Sequence, residues 1–380
     1  MPEPQLTGVV SIGSELERKR WIREGLIKNA SKSFWSPYTG NSFESIVYQV
    51  NDPDTKAGHN VVFQFDGYLV EGPVKGKETA RGKGEEKKLF SDKCIVDRYR
   101  FPVSNGDIFD GVNVGDLSIT QHADSREKLA DKFVRFKDQA IFDVAQQSVT
   151  HKINLSAFGM DNILDVEQIL KTGTGYSVGG KRLPLKPFRL SDGRPVWLWL
   201  LDPLSKVKFL KSTGAQNLLK DADVRGNANR TISGLIGKIG NFLFVEADVF
   251  FGSQKGNTIL DALGYSAIND IKELHCAGLR TYKATTDFTP ASWLGYAGYD
   301  AASGTVHSRN LILGAGAIQV PFGKMPDYKF ELSQDFAIDS ESALEVWMNV
   351  KATSYYAENK DYLLQAGGIT NGIIAVDVKH

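Results

Sequence analysis

Hydrophobic and polar residues alternate along some stretches of the chain and recur at helical spacing along others. Residues 1–13 read as extended, and Ser14-Glu15-Leu16-Glu17 has the form of a capping box opening a helix to about Asn29. Gly25 weakens that helix, and Leu16, Ile22, Leu26 and Ile27 give it an apolar side suited to a neighbour. From Phe43 the period becomes two. Ile46 to Val50 reads as a strand ended by Asp52-Pro53-Asp54, and Val61, Phe63, Phe65 and Leu69 alternate with polar neighbours. Residues 72–88 are rich in glycine and charge and hold too little apolar surface for a core. A strand from Cys94 to about Phe101 follows, so the region reads as a long β-hairpin with a charged, flexible tip.

Leu129, Phe133, Phe136, Ala140 and Val144 recur at steps of four and three, which predicts a helix over 123–148. At 1.5 Å per residue it is roughly 39 Å long, well above the usual length. Residues 150–320 read as mixed α/β. A short helix spans 161–170 and closes at Gly173. Val196 to Leu201 is continuously apolar, as in a strand buried on both faces. Asp202 and Pro203 then suit a helix cap and first turn. Phe242 to Phe251 reads as a strand, 286–305 as a loop, and Leu344–Val350 and 372–378 as closing strands, with no solenoid period.

Composition narrows the class. The chain has 380 residues, 42% hydrophobic and 24% charged, an ordinary globular balance. That length suggests two or three structural units. Lysine plus arginine number 45 and aspartate plus glutamate 45, and this zero net charge argues against a dedicated nucleic-acid binder. Two cysteines, Cys94 and Cys276, make no disulfide framework and fit a reducing compartment. No run of 18 apolar residues occurs, and Met1 to Gln5 lacks a signal-peptide pattern, so the reading is a soluble intracellular protein.

Short motifs do not add up to an enzyme. Gly175-Tyr176-Ser177-Val178-Gly179 has the letters of a nucleophile elbow, but that turn needs a strand before it and a helix after it. A helix end precedes it here and Gly180 to Pro184 follows. Gly175 to Lys181 nearly matches a phosphate loop, with Arg182 where a Ser or Thr belongs. Gly234 to Gly240 lacks dinucleotide spacing. Ser125 and Lys128 have the spacing of a serine–lysine pair, at a helix start where such residues are routine. The six histidines never pair at metal-ligand spacing. No catalytic, cofactor or metal residue is assigned. Lys206, Lys208, Lys211, Lys220, Arg225 and Arg230 form a basic stretch, read as a solvated face or a contact with a neighbouring subunit or nucleic acid.

The order of these elements resembles the major capsid protein fold of tailed bacteriophages, an α+β fold. Two stretches are similar to the family typified by a short-tailed phage with a large virion RNA polymerase. One runs from Leu201-Asp202-Pro203 through Ala228 to Gly237 and on to Phe244-Val245-Glu246. The other is Arg309 to Ala317, with its Leu-Gly-Ala-x-Ala, together with the closing 372–377. Residues 353–372 depart from the pattern, with Leu363 to Asn371 looking like an insertion before the last strand, and 255–308 match it poorly.

The resemblance implies an N-terminal arm over 1–40 and an extended hairpin, the E-loop, over 41–110. It implies a peripheral (P) domain over 111–160 and 320–380 with 123–148 as its spine helix, and an axial (A) domain over 161–319. It implies a structural subunit that forms hexamers and pentamers of an icosahedral head around double-stranded DNA. Scaffolding, portal and decoration proteins would be partners, with assembly in the host cytoplasm. The candidate inter-subunit contacts are Lys75, Lys77, Arg81, Lys83, Glu85, Glu86, Lys87 and Lys88. Two alternatives stand beside it: a nanocompartment shell of the same fold, distinguished by a protein cargo, and a hydrolase using Ser177.

Overall fold

The computed structural model describes residues 33–52, 56–66, 69, 71–87, 89–107, 113–114, 117–118, 121–149, 151–172, 177–178, 181–182, 185–189, 193–201, 203–216, 235–246, 298–300, 305–332, 339–357, 369–370 and 372–379. The main elements in chain order are β1 (Val47–Asn51), β2 (Asn60–Asp66), β3 (Leu89–Ile95), β4 (Asp97–Asp107), α1 (Gln121–Gln147), β5 (Lys152–Leu155), α2 (Met160–Thr172), β6 (Pro195–Leu201) and α3 (Pro203–Lys211). They continue with β7 (Leu235–Ile239), β8 (Phe242–Glu246), β9 (Thr305–Leu313), β10 (Ile318–Leu332), β11 (Asp339–Met348), β12 (Lys351–Ala352), β13 (Ser354–Ala357), β14 (Ile369–Thr370) and β15 (Ile373–Lys379). The helix expected over 123–148 is α1, and the one expected over 161–170 is α2. The helix expected over 14–29 lies outside the described residues.

Three sheets organise the chain. The first has the order β1–β10–β11–β4, with β12 also pairing β10. Here α1 packs through Leu129, Phe133 and Phe136, and the two phenylalanine rings meet Tyr99 and Phe101 of β4 at centroid distances of 5.1 to 6.3 Å. The second sheet has the order β7–β8–β6–β9–β15–β5. Its strand β6 is apolar at every position from Val196 to Leu201 because both faces are covered. Val196, Leu198 and Leu200 face the core shared with α1, while Trp197, Trp199 and Leu201 face the core built with α2 and α3. β15 divides the same way, Ile373 and Ala375 to one core, Ile374, Val376 and Val378 to the other.

One buried ion pair crosses this second sheet. Arg309 holds Asp377 through two hydrogen bonds, 2.9 and 3.0 Å, between residues directly opposite on β9 and β15. Beside it Asn310 donates to Ser205 of α3 at 3.0 Å.

The chain passes from the second sheet to the first through Leu313 to Ala317. Four other segments meet it there by backbone hydrogen bonds. Gly314 N–H donates to Gly372 O at 2.8 Å, Ala315 N–H to Lys186 O at 2.9 Å, Gly316 N–H to Ser45 O at 2.7 Å, and Thr353 N–H to Ala317 O at 2.9 Å. Glycine is required at this crossing. Gly316 sits at φ +62° with the Phe43 ring 2.5 Å from where a Cβ would lie, and Gly372 at φ +81° with Ala317 Cα at 2.8 Å. The motif that carries the family resemblance is therefore a packing node.

The structure corrects two expectations. The single strand from Cys94 to Phe101 is two, β3 and β4, broken at Val96 and belonging to different sheets. Residues 286–305 are not all loop: Gly298–Asp300 is a strand paired with β9. Within 353–372, where the chain departs from the resemblance, β13 and β14 extend the hairpin sheet; of Leu363 to Asn371, read as an insertion, only Ile369–Thr370 lies within the described residues. Of the strand expected over 242–251, only Phe242–Glu246 lies within the described residues.

Candidate assembly surface: the hairpin, its tip and its root

The third sheet has the order β14–β13–β3–β2, with β2 and β3 antiparallel from Asn60↔Ile95 to Asp66↔Leu89. Alternation gives this hairpin two faces. Val61, Phe63 and Cys94 turn inward with Val96 and pack on Tyr48, Val50 and Trp347. Val62 and Ile95 turn outward and are 57% and 51% exposed. Burial pushes the Cys94 thiol up to about 12, so it packs as a small hydrophobe.

The tip stands away from any core. Lys75, Lys77, Arg81, Lys83, Glu86 and Lys87 are exposed and Glu85 is half-buried. Lys88 lies outside the described residues. Contacts within the loop hold it on itself: Lys83 pairs with Glu78 at 2.8 Å, Lys83 N–H donates to the Ala80 carbonyl at 3.2 Å, and Glu85 accepts the backbone N–H of Glu71 at 2.8 Å. Lys75, Lys77 and Arg81 make no ion pair among the described residues. The candidates thus share one projecting loop. Exposed ion pairs are each worth less than about 1 kcal/mol, so this tip is a surface of weak contacts.

The root is built differently. Val96 separates β3 from β4 and is fully buried. Its N–H donates to His59 O at 3.0 Å, and its carbonyl accepts Gly58 N–H at 2.7 Å. Below it, Trp347 donates through Nε1 to Glu345 at 2.9 Å. Glu345 also takes Arg98 Nε at 2.6 Å and pairs with Lys329. The Lys329 hydrogen bond, with those of Trp347 and Arg98, brings the Glu345 carboxyl down to about 2. Sequence reasoning missed this network: Glu345 and Trp347 share a strand, but Arg98 and Lys329 reach them only through the sheet register.

The stretch assigned to the N-terminal arm ends packed on its own subunit. Trp35 is fully buried and donates to the Asp138 carbonyl of α1 at 3.0 Å. The Asp138 carboxylate accepts Ser33 Oγ and Phe34 N–H, both at 2.6 Å.

The enzyme-like motifs find no catalytic setting. Ser177–Val178 pairs antiparallel with Lys181–Arg182 as a small hairpin, where a nucleophile elbow or phosphate loop needs a helix. Gly240 is the turn between β7 and β8. In the basic stretch, Lys206 pairs with Glu246 and Lys208 donates to the Lys379 carbonyl, while Lys220, Arg225 and Arg230 lie outside the described residues. No group of metal-ligating side chains occurs among the described residues, and no helix among them is long and apolar enough to cross a membrane.

No family profile and no curated protein sequence matches the chain. Solved structures do. The capsid of Ralstonia phage GP4 is 16% identical with a TM-score of 0.63, covering 97% of each chain. The head of Helicobacter pylori bacteriophage KHP40 is 13% identical with a TM-score of 0.63, over 99% of this chain and 95% of that one. The cyanophage Pam1 capsid is 12% identical with a TM-score of 0.61, over 98% of both. Similarity across almost the whole length, at identities this low, is a statement about architecture: the chain has the major capsid protein fold of tailed bacteriophages.

Proposed function

We propose that the chain is a major capsid subunit that self-assembles into hexamers and pentamers of an icosahedral phage head around double-stranded DNA. The observation that carries the reading is the overlap with a phage capsid subunit along 97% of both chains. In this reading residues 1–40 are the arm and 41–110 the E-loop region. Residues 111–160 and 320–380 form the P domain around α1, and 161–319 the A domain. Its place is the virion, with assembly in the host cytoplasm, and its role is mechanical, with no catalytic step. Scaffolding, portal and decoration proteins are further partners.

The mechanism follows from the contrast between root and tip. A shell closes through repeated heterologous contacts whose rotation returns on itself. The hairpin carries Lys75, Lys77, Arg81, Lys83, Glu85, Glu86, Lys87 and Lys88 outward to an adjacent copy. Each pair contributes under about 1 kcal/mol, so a wrongly placed subunit leaves easily while many correct contacts together hold. Zero net charge lets many copies pack without large mutual repulsion. DNA is enclosed by proximity, with no phosphate-gripping surface required.

Sedimentation velocity of the full chain tests this. Capsomers or shells, sedimenting far faster than a 41.9 kDa monomer, are expected. Deleting 75–88 leaves the subunit soluble and impairs assembly. Normal shells from the deletion would refute the hairpin's role. A chain that stays monomeric under crowding and with scaffolding partners would refute the whole reading.

A further inference from the structure

The hairpin is tied to the sheet beneath it by a segment remote in sequence. β12 pairs β10 at Ile318↔Ala352 and Gln319↔Lys351, and β13 pairs β3 at Tyr356↔Ser91 and Ala357↔Phe90. Between these two short pairings lies Asp92, 2% exposed. Its Oδ1 takes the Lys351 ammonium, and its Oδ2 takes Ser354 N–H at 3.0 Å. Lys351 also donates to the Lys93 carbonyl at 2.9 Å. On the far side of the root, Asn349 Nδ2 donates to the Ile95 carbonyl at 2.6 Å. The excursion 353–372 is anchored at both ends to the glycine crossing, Thr353 on Ala317 and Gly372 on Gly314.

Two-residue pairings are weak alone, and among the described residues the hairpin's own buried core is Val61, Phe63, Cys94 and Val96. A carboxylate withdrawn from water, by contrast, is costly without its cation, so Asp92 and Lys351 engage or separate as a unit. We propose that Asp92 and Lys351 form a catch that sets the direction of the hairpin within the subunit, before any neighbour is met. Release of the catch lets β2 and β3 swing about Val96, while β4 stays paired to β11. The segment 351–357 is the strap through which that swing reaches the glycine crossing. The catch is a property of the single chain, so its test is independent of whether shells form.

Hydrogen exchange on the full-length protein, resolved by peptide, is the test. In Asp92→Asn and in Lys351→Met, amides of 89–95 and 354–357 exchange roughly tenfold faster or more, the scale of one charged hydrogen bond lost from a local opening. The double variant exchanges no faster than the singles, α1 and β15 keep their rates, and Lys351→Arg restores slow exchange. Alkylation of Cys94, read on its own peptide, accelerates with the same variants. Should Asp92→Asn fail to fold, Lys351→Met decides alone, since its side chain is 31% exposed. Unchanged rates in 89–95, an equal rise in α1 and β15, or additive effects in the double variant would each overturn the catch.

Discussion

The sheet β6–β9–β15 and the hairpin β2–β3 are both β-structure, yet they are stabilised by different means. In the first, successive side chains enter two different cores: Leu198 and Leu200 one, Trp197 and Trp199 the other. In the second, one face packs on Trp347 and the other leaves Val62 and Ile95 in water. The twice-covered sheet is the part that cannot move without unfolding the subunit. The hairpin has a small core, a polar fastening at its root and a charged tip, so it can be repositioned at modest cost. The proposed role as a shell subunit would use both, a body that keeps its shape and a hairpin that finds a neighbour.

The comparison breaks first at Trp199. It is fully buried against Phe158, Phe242 and Phe244, with centroids 4.9 to 5.6 Å away. Trp199→Ala is expected to cost about 3–5 kcal/mol. Chemical denaturation should show the loss in every probe at once; a loss confined to one probe would contradict a single twice-covered body.

A smaller effect separates α1 from the hairpin by pH. Burial raises the Asp143 carboxyl from 3.8 to about 7, only partly offset by the Gln139 hydrogen bond at 3.0 Å. The folded state holds this proton more tightly than the unfolded one. The contribution to stability is therefore full below the unfolded value of 3.8 and is lost as pH rises through about 7. Asp143→Asn should flatten the decline in stability between pH 5 and pH 8, measured by urea unfolding; an unchanged slope would count against a protonated Asp143.

The smallest effect belongs to the outer hairpin face. Val62→Ser is expected to change stability by no more than about 0.5 kcal/mol, since the side chain is 57% exposed. In assembled shells the same change becomes informative: a weakened shell with an unaffected subunit places Val62 in a contact between copies.

How much of this was legible in the sequence depended on how local its cause is. Helix α1 was legible because Leu129, Phe133, Phe136, Ala140 and Val144 keep helical period. Strand β6 was legible because six apolar residues run without interruption. The tip was legible as a loop from composition alone. The break at Val96 was not. Ile95, Val96 and Tyr99 favour extended structure throughout, and the turn is imposed by His59, Gly58 and Asn349 from elsewhere. Asp92, between Ser91 and Lys93, reads as a surface residue, because its cation lies 259 positions later. Strand β13, within the segment 353–372 that departs from the resemblance, was not legible for the same reason: its strand partner, β3, is remote.

Electron microscopy of the purified full-length protein tests the central claim most directly. The account predicts closed icosahedral particles built of hexamers and pentamers, each subunit's 71–87 loop resting on the adjacent copy. A uniform population of single subunits, unchanged at high concentration, under crowding and with scaffolding partners present, would contradict it.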